Sequence, residues 1–132
     1  MPMTTYNAKD LTVTYGDVYL TGFGETMAAG SKSEDMFEPE VGAQGDVCVS
    51  EKNNPLGEVV LTFQKTSPSV KYMIECAKAG KVLPLWLTNK STGMRKGGTQ
   101  ARILNFPEDE DAATAGELEF TLTVFDYTVE AV

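Results

Sequence analysis

The sequence predicts a mainly β domain: an antiparallel β-sandwich or barrel with one flanking α-helix and a long extended loop or arm. Three observations carry this reading. Short runs in which apolar and polar side chains alternate recur along the chain, as half-buried strands require. One run alone combines a helical apolar stripe with a start and a stop signal. A stretch from 22 to 57 is rich in glycine and acid and poor in apolar anchors. At 132 residues and 14.3 kDa, two independent cores are not expected, so residues 1–132 read as one domain with the 22–57 segment inserted into it.

The first strand is Leu11-Thr12-Val13-Thr14-Tyr15, with three apolar side chains on one face and two threonines on the other. A turn at Gly16-Asp17 leads into Val18-Tyr19-Leu20, its hairpin partner. Further strands are expected at Asp46–Ser50, Leu83–Thr88 and Thr99–Leu104, with Gly97-Gly98 as a turn or bulge before the last of these. Val59, Leu61 and Phe63 alternate with Val60, Thr62 and Gln64. The clearest alternation sets Leu118, Phe120, Leu122 and Val124 against Glu119, Thr121 and Thr123. For the helix, Ser67 is a cap, Pro68 suits the first turn and Gly80 suits the residue past the end. Val70, Met73, Ile74 and Ala77 then form the stripe toward the core, leaving Cys76 off it. Within 22–57, the sparse apolar residues suit either an arm reaching a neighbouring molecule or an internal edge hairpin.

Composition removes several functions. Histidine is absent, and with it the commonest general base and metal ligand. Cys48 and Cys76 fit no short metal-binding spacing, and two free thiols are expected. The acidic run Glu108-Asp109-Glu110-Asp111 lacks the ligand spacing of a calcium loop and reads as solvated. Glu38/Glu40 and that run sit among polar or small residues, where nothing raises a carboxyl pKa for acid–base work. No catalytic residue, cofactor or metal is expected. No apolar run is long enough for a membrane helix, so no membrane anchor is expected, and the N-terminus carries no secretion pattern.

The net charge of −8 argues against binding nucleic acid through its phosphates. That mean hides three blocks: ten acids and three lysines in 1–64, eight bases and one acid in 65–105, and eight acids with no base in 106–132. Such blocks either intermix as solvated surface or give one copy a basic patch for another copy's acidic one, a head-to-tail contact that makes rings or filaments. The threonine-rich faces carry a similar choice. They are ordinary solvated sheet, or the smooth wall of a pore through which a polyanion slides without sticking.

Ser33-Glu34-Asp35-Met36-Phe37, Val41-Gly42-Ala43-x-Gly45-x-Val47, Asn53-Asn54-Pro55-x-Gly57-x-Val59-x-Leu61-Thr62 and Thr66-Ser67-Pro68-Ser69, in that order, resemble a bacteriophage tail tube protein. The likeness is to the short tube proteins of contractile-tailed phages, relatives of the type VI secretion ring protein. It runs from the hairpin at 11–20 to the final strand. The resemblance implies a virion structural protein assembled in the host cytoplasm, forming six-membered rings that stack into a hollow conduit for DNA. It implies further copies of itself, a tail sheath, a baseplate or initiator and a tape measure protein as partners. On that basis the expected lumen residues are Thr12, Thr14, Glu58, Thr62, Glu119, Thr121 and Thr123. The expected intersubunit contacts are Met36, Phe37, Val41, Val47 and Leu56. The alternative is a monomeric β-sandwich binding module for carbohydrate or protein. A sugar platform needs exposed aromatics, and the single tryptophan, Trp86, sits in the apolar run Leu83–Leu87, where core packing is expected.

Overall fold

The computed structural model describes residues 5–107, 109 and 114–131. Among the described residues a 3-10 turn at Ala8–Asp10 precedes ten strands and one α-helix in the order β1 (Leu11–Tyr15), β2 (Val18–Tyr19), β3 (Phe23–Lys32), β4 (Phe37–Val41), β5 (Val47–Glu51), β6 (Gly57–Gln64), α1 (Ser69–Ala79), β7 (Leu83–Asn89), β8 (Met94–Ile103), β9 (Glu117–Val124) and β10 (Thr128–Ala131). Eight strands form one antiparallel sheet in the order β2-β1-β7-β8-β9-β6-β3, with β10 added beside the first half of β8. The sheet has open ends at β2 and β3 and does not close into a barrel.

Alternation puts Val13 and Tyr15 from β1, Leu85 and Leu87 from β7, Leu61 and Phe63 from β6 and Phe120 and Leu122 from β9 into one core. Phe63 stacks on Phe23 at 4.9 Å and meets Phe120 edge-on at 5.8 Å. The helix fills the remaining side of this core. Its start is capped as the sequence predicts, with the Ser69 amide donating to Ser67 Oγ and the Val70 amide to the Ser67 carbonyl. Its end is a two-bond closure: Gly80 N–H donates to Ala77 and Lys81 N–H to Cys76, with Gly80 at a φ of 63° that only glycine adopts without strain.

Four local readings need correction. Cys76 is buried with Ser69, Val70 and Met73, because the helix seats deeper than a one-sided stripe, so Ile74 and Ala77 flank the contact. Trp86 is not in the core: Leu85 and Leu87 take the inward positions and strict alternation turns the indole out. The strand expected at 99–104 runs from Met94 to Ile103, and Gly97 and Gly98 lie inside it as partners of Trp86 and Leu85, just before the register shift that falls between Gly98 and Ala101. β3, β4 and β10 have no counterpart among the expected strands. β3 is built largely from glycine, alanine and serine, which show no alternation to read.

The 22–57 segment divides. Its first part, β3, pairs along β6 as an edge of the main sheet. The rest forms a separate two-stranded sheet, β4 with β5, in which every residue is exposed. Cys48 is exposed on that hairpin and Cys76 is buried, and neither is in a disulfide.

Candidate functional site

The β4–β5 hairpin is two-faced. Its register sets Phe37 opposite Glu51, Pro39 opposite Val49 and Val41 opposite Val47, so these six side chains share one face. Glu38, Glu40, Cys48 and Ser50 share the other, where Lys52 reaches Glu38 at 3.4 Å. The apolar face is uncovered: Phe37 is 51% exposed, Val41 71%, Val47 64% and Val49 51%. Met36, just before β4, is also exposed, whereas Leu56 lies at the root and is half-buried. Four of the five expected contact residues therefore belong to the projecting unit and the fifth to its base.

That base explains the Asn53-Asn54-Pro55-Leu56-Gly57 signal. Asn54 Oδ1 accepts the Leu56 amide at 3.0 Å, the Pro55 carbonyl accepts the Tyr127 amide at 3.0 Å, and the Ser33 amide donates to Leu56. The Tyr127 side chain lies against Gly57, where an added Cβ would sit 2.2 Å from Tyr127 Cγ. A tyrosine far away in the sequence thus clamps the hairpin root. Asp126, next to it, accepts the amides of Thr99 and Gln100 at 3.1 Å each and the Thr99 hydroxyl. The Thr99 side-chain bond, with the two amides, holds the Asp126 carboxyl below its ordinary range despite some desolvation.

The second candidate surface is the outward face of β3, β6 and β9. Register pairs Glu58 with Thr123, Val60 with Thr121 and Thr62 with Glu119, and extends the first row to Ser31 on β3 and Arg102 on β8. Five of the seven expected lumen residues are thus brought together as cross-strand partners. Thr62 turns outward with them yet is only 7% exposed, since Gly24 of the irregular β3 lies against it. The face is the floor of an open concavity of about 960 Å³, edged by Glu25, Lys65, Phe106 and Gly116. Of the acidic run at 108–111, all but Asp109 lies outside the described residues, and Lys65 pairs with Asp109 at 2.6 Å.

Thr12 and Thr14 lie elsewhere. They belong to β1, across the shared core from β6, and their outward neighbours are Thr88 and Trp86 of β7. This opposite face continues through Arg95 and Gly97 of β8 to Glu130 and Thr128 of β10. Arg95 covers the indole, its guanidinium carbon 4.3 Å from the Trp86 ring, and pairs with Glu130. The sequence signal for this stack is the alternation within Leu83–Asn89, which decides the direction of the indole against the apolar character of tryptophan.

Among the described residues no group of three or more cysteine, aspartate or glutamate side chains converges as a metal site, and no helix is long and apolar enough to cross a membrane.

The same fold occurs in assemblies already solved. The chain matches one in the anti-feeding prophage cap, described as a tube terminating cap, with a TM-score of 0.68, 17% identity and coverage of 100% of this chain and 95% of that one. It matches one in the sheath/tube terminator of an extracellular contractile injection system, PVC, in the extended state, with a TM-score of 0.67, 12% identity and coverage of 98% and 99%. A third match, in the sheath-tube complex of that PVC system, has a TM-score of 0.64, 14% identity and coverage of 97% and 93%. No protein-family model matches the sequence, and no curated protein matches it at a significant level.

Proposed function

We propose that the chain is a structural, non-enzymatic tail protein: the protomer of a tube in which hexameric rings stack into a hollow conduit that passes DNA without holding it. The observation that carries this reading is the uncovered apolar face of the β4–β5 hairpin, an element that makes no core of its own and gains burial only against another molecule. The fold correspondence over nearly the whole of both chains supports it.

In this reading the outward face of β3, β6 and β9 is the bore wall. Glu58, Thr121, Thr123 and Glu119 present short neutral or acidic groups there, with Arg102 at the end of the first row and Lys65 at the edge, so most of the wall offers a passing phosphate no cation. Thr12 and Thr14 then belong to the outer wall, because one domain in a tube has a single lumen side. The other expected partners are a sheath, a baseplate or initiator and a tape measure protein. The assembled protein resides in the virion after assembly in the host cytoplasm.

A tube-terminating protein is the second reading, favoured by the two terminator assemblies that share the fold. A monomeric sugar-binding module is disfavoured, because Arg95 occupies the stacking face of the single tryptophan. Size-exclusion chromatography with negative-stain microscopy separates the three. Tubes that lengthen with concentration support the protomer, rings that never stack support the terminator, and a concentration-independent 14.3 kDa monomer refutes both.

A further inference from the structure

The hairpin needs a receptor, and one groove has the matching chemistry. It lies beside the C-terminal end of α1, has a volume of about 410 Å³, and is lined by Ala77, Arg102, Leu104, Phe106 and Phe125 among others. That volume is at the lower end of the range of binding pockets, room for a few side chains rather than a whole element. Leu104 is 66% exposed and Phe106 52%, so two large apolar groups stand exposed at its mouth. Among the described residues of its lining Arg102 is the one that is charged, and its guanidinium lies against Gly80, at the negative end of the helix. Lys78 and Lys81 flank that helix end in the chain. Among the described residues, no carboxylate is within ion-pair distance of Lys78, Lys81 or Arg102.

The hairpin is the converse in both respects. Residues 33–53 hold six acids against Lys52 alone, and their apolar face offers Phe37, Val41, Val47 and Val49. We infer that this groove is the receptor for the hairpin of a second copy of the chain, with the apolar face seated on Leu104 and Phe106 and Glu51, the acid that shares that face, toward the cations Lys78, Lys81 and Arg102. This rests on the proposed tube reading and adds its contact. A hairpin folded back onto its own groove is not the arrangement seen, since hairpin face and groove are both open in the same molecule. Donor and receptor are different surfaces, each present once per chain, so the contact is head-to-tail and propagates into a ring or a filament. Charge complementarity orients the approach and the apolar pairs hold it.

Directed cross-linking tests this in full-length protein with Cys48→Ser as background. One population carries Val49→Cys and a second carries Leu104→Cys, and the two are mixed under mild oxidation. A disulfide-linked dimer is expected from the mixture and from neither population alone. Tyr19→Cys, exposed on the far wall, replaces Leu104→Cys as the control and should give no bridge. If rings or tubes form by microscopy while Leu104→Cys fails to link, or links no better than Tyr19→Cys, the groove is wrong and the tube reading stands. If the unmodified protein never assembles, both fall. Because a cysteine pair can itself impair assembly, Phe106→Ser with the native hairpin is the second measurement. Its critical concentration for assembly should rise about tenfold or more with an unchanged melting temperature. An unchanged critical concentration overturns the inference.

Discussion

Replacing Phe37 with Asp tests the assembly reading at its apolar anchor. In the isolated chain Phe37 is 51% exposed and lies outside the core cluster, opposite Glu51 within the hairpin. A phenylalanine carries roughly 150–250 Å² of surface, so about 100 Å² remains for a partner to cover. At about 25 cal/mol per Å², that burial contributes about 2.5 kcal/mol to each contact, or about 70-fold in its association constant. Aspartate loses this and adds the desolvation of a carboxylate among acids already present, so 70-fold is the smaller bound. Folding should be nearly untouched, because exposed substitutions away from a core change stability by about 0.5 kcal/mol or less. The assay is the critical concentration for ring or tube formation, read by sedimentation and negative stain, beside a thermal melt of the dilute monomer. Tubes of normal length at the native critical concentration would refute the reasoning. So would a collapse of the melting temperature, since the hairpin would then be part of the folding unit.

Raising salt from about 0.1 to 1 M shortens the screening length from about 10 to 3 Å, so the critical concentration should rise; a salt-independent value removes the electrostatic part of the assembly contact. Gly57→Ala should destabilise the fold by about 1–3 kcal/mol, because its Cβ would meet the Tyr127 ring at 2.2 Å, and a melt unchanged by the substitution would show that the ring is no clamp. Asp126 has a depressed carboxyl pKa, so its stabilisation is present above the ordinary value of 3.8 and is lost as pH falls through the folded value. The melting temperatures of native protein and Asp126→Asn should therefore converge in acid; a gap constant with pH excludes the link. Burial pushes Tyr15 up to about 12, and its hydroxyl donates to the carbonyls of Lys81 and Ala101. That stabilisation is whole below the ordinary value of 10.0 and lost as pH rises toward 12, so Tyr15→Phe should cost about 1 kcal/mol at neutral pH and lessen the alkaline loss, as equilibrium denaturation at both pH values would report.

Much of the architecture was legible because its signals are local. The alternation at Leu118–Val124, the Gly16-Asp17 turn and the Ser67-to-Gly80 helix boundaries depend on neighbouring residues, whose spacing is written in the chain. The amphipathic pairing of Glu58 with Thr123 and Thr62 with Glu119 follows from the same alternation once register is set. β3 is illegible because small residues carry no period, and Trp86 faces outward against its residue type because its position between two inward leucines decides.

The remaining outcomes depended on contacts between distant residues. The amino-acid order by itself determined a mainly β domain with one helix, a dense acidic segment without core-forming power, and no histidine for catalysis. Tertiary structure alone decided that β3 joins the main sheet while β4 and β5 leave it, and that Tyr127 covers Gly57. It alone put Thr12 and Thr14 on the wall opposite Thr121 and Thr123. Alternation tells which side chains point away from a core but not toward what, because that direction is set by how the whole sheet curls around one core.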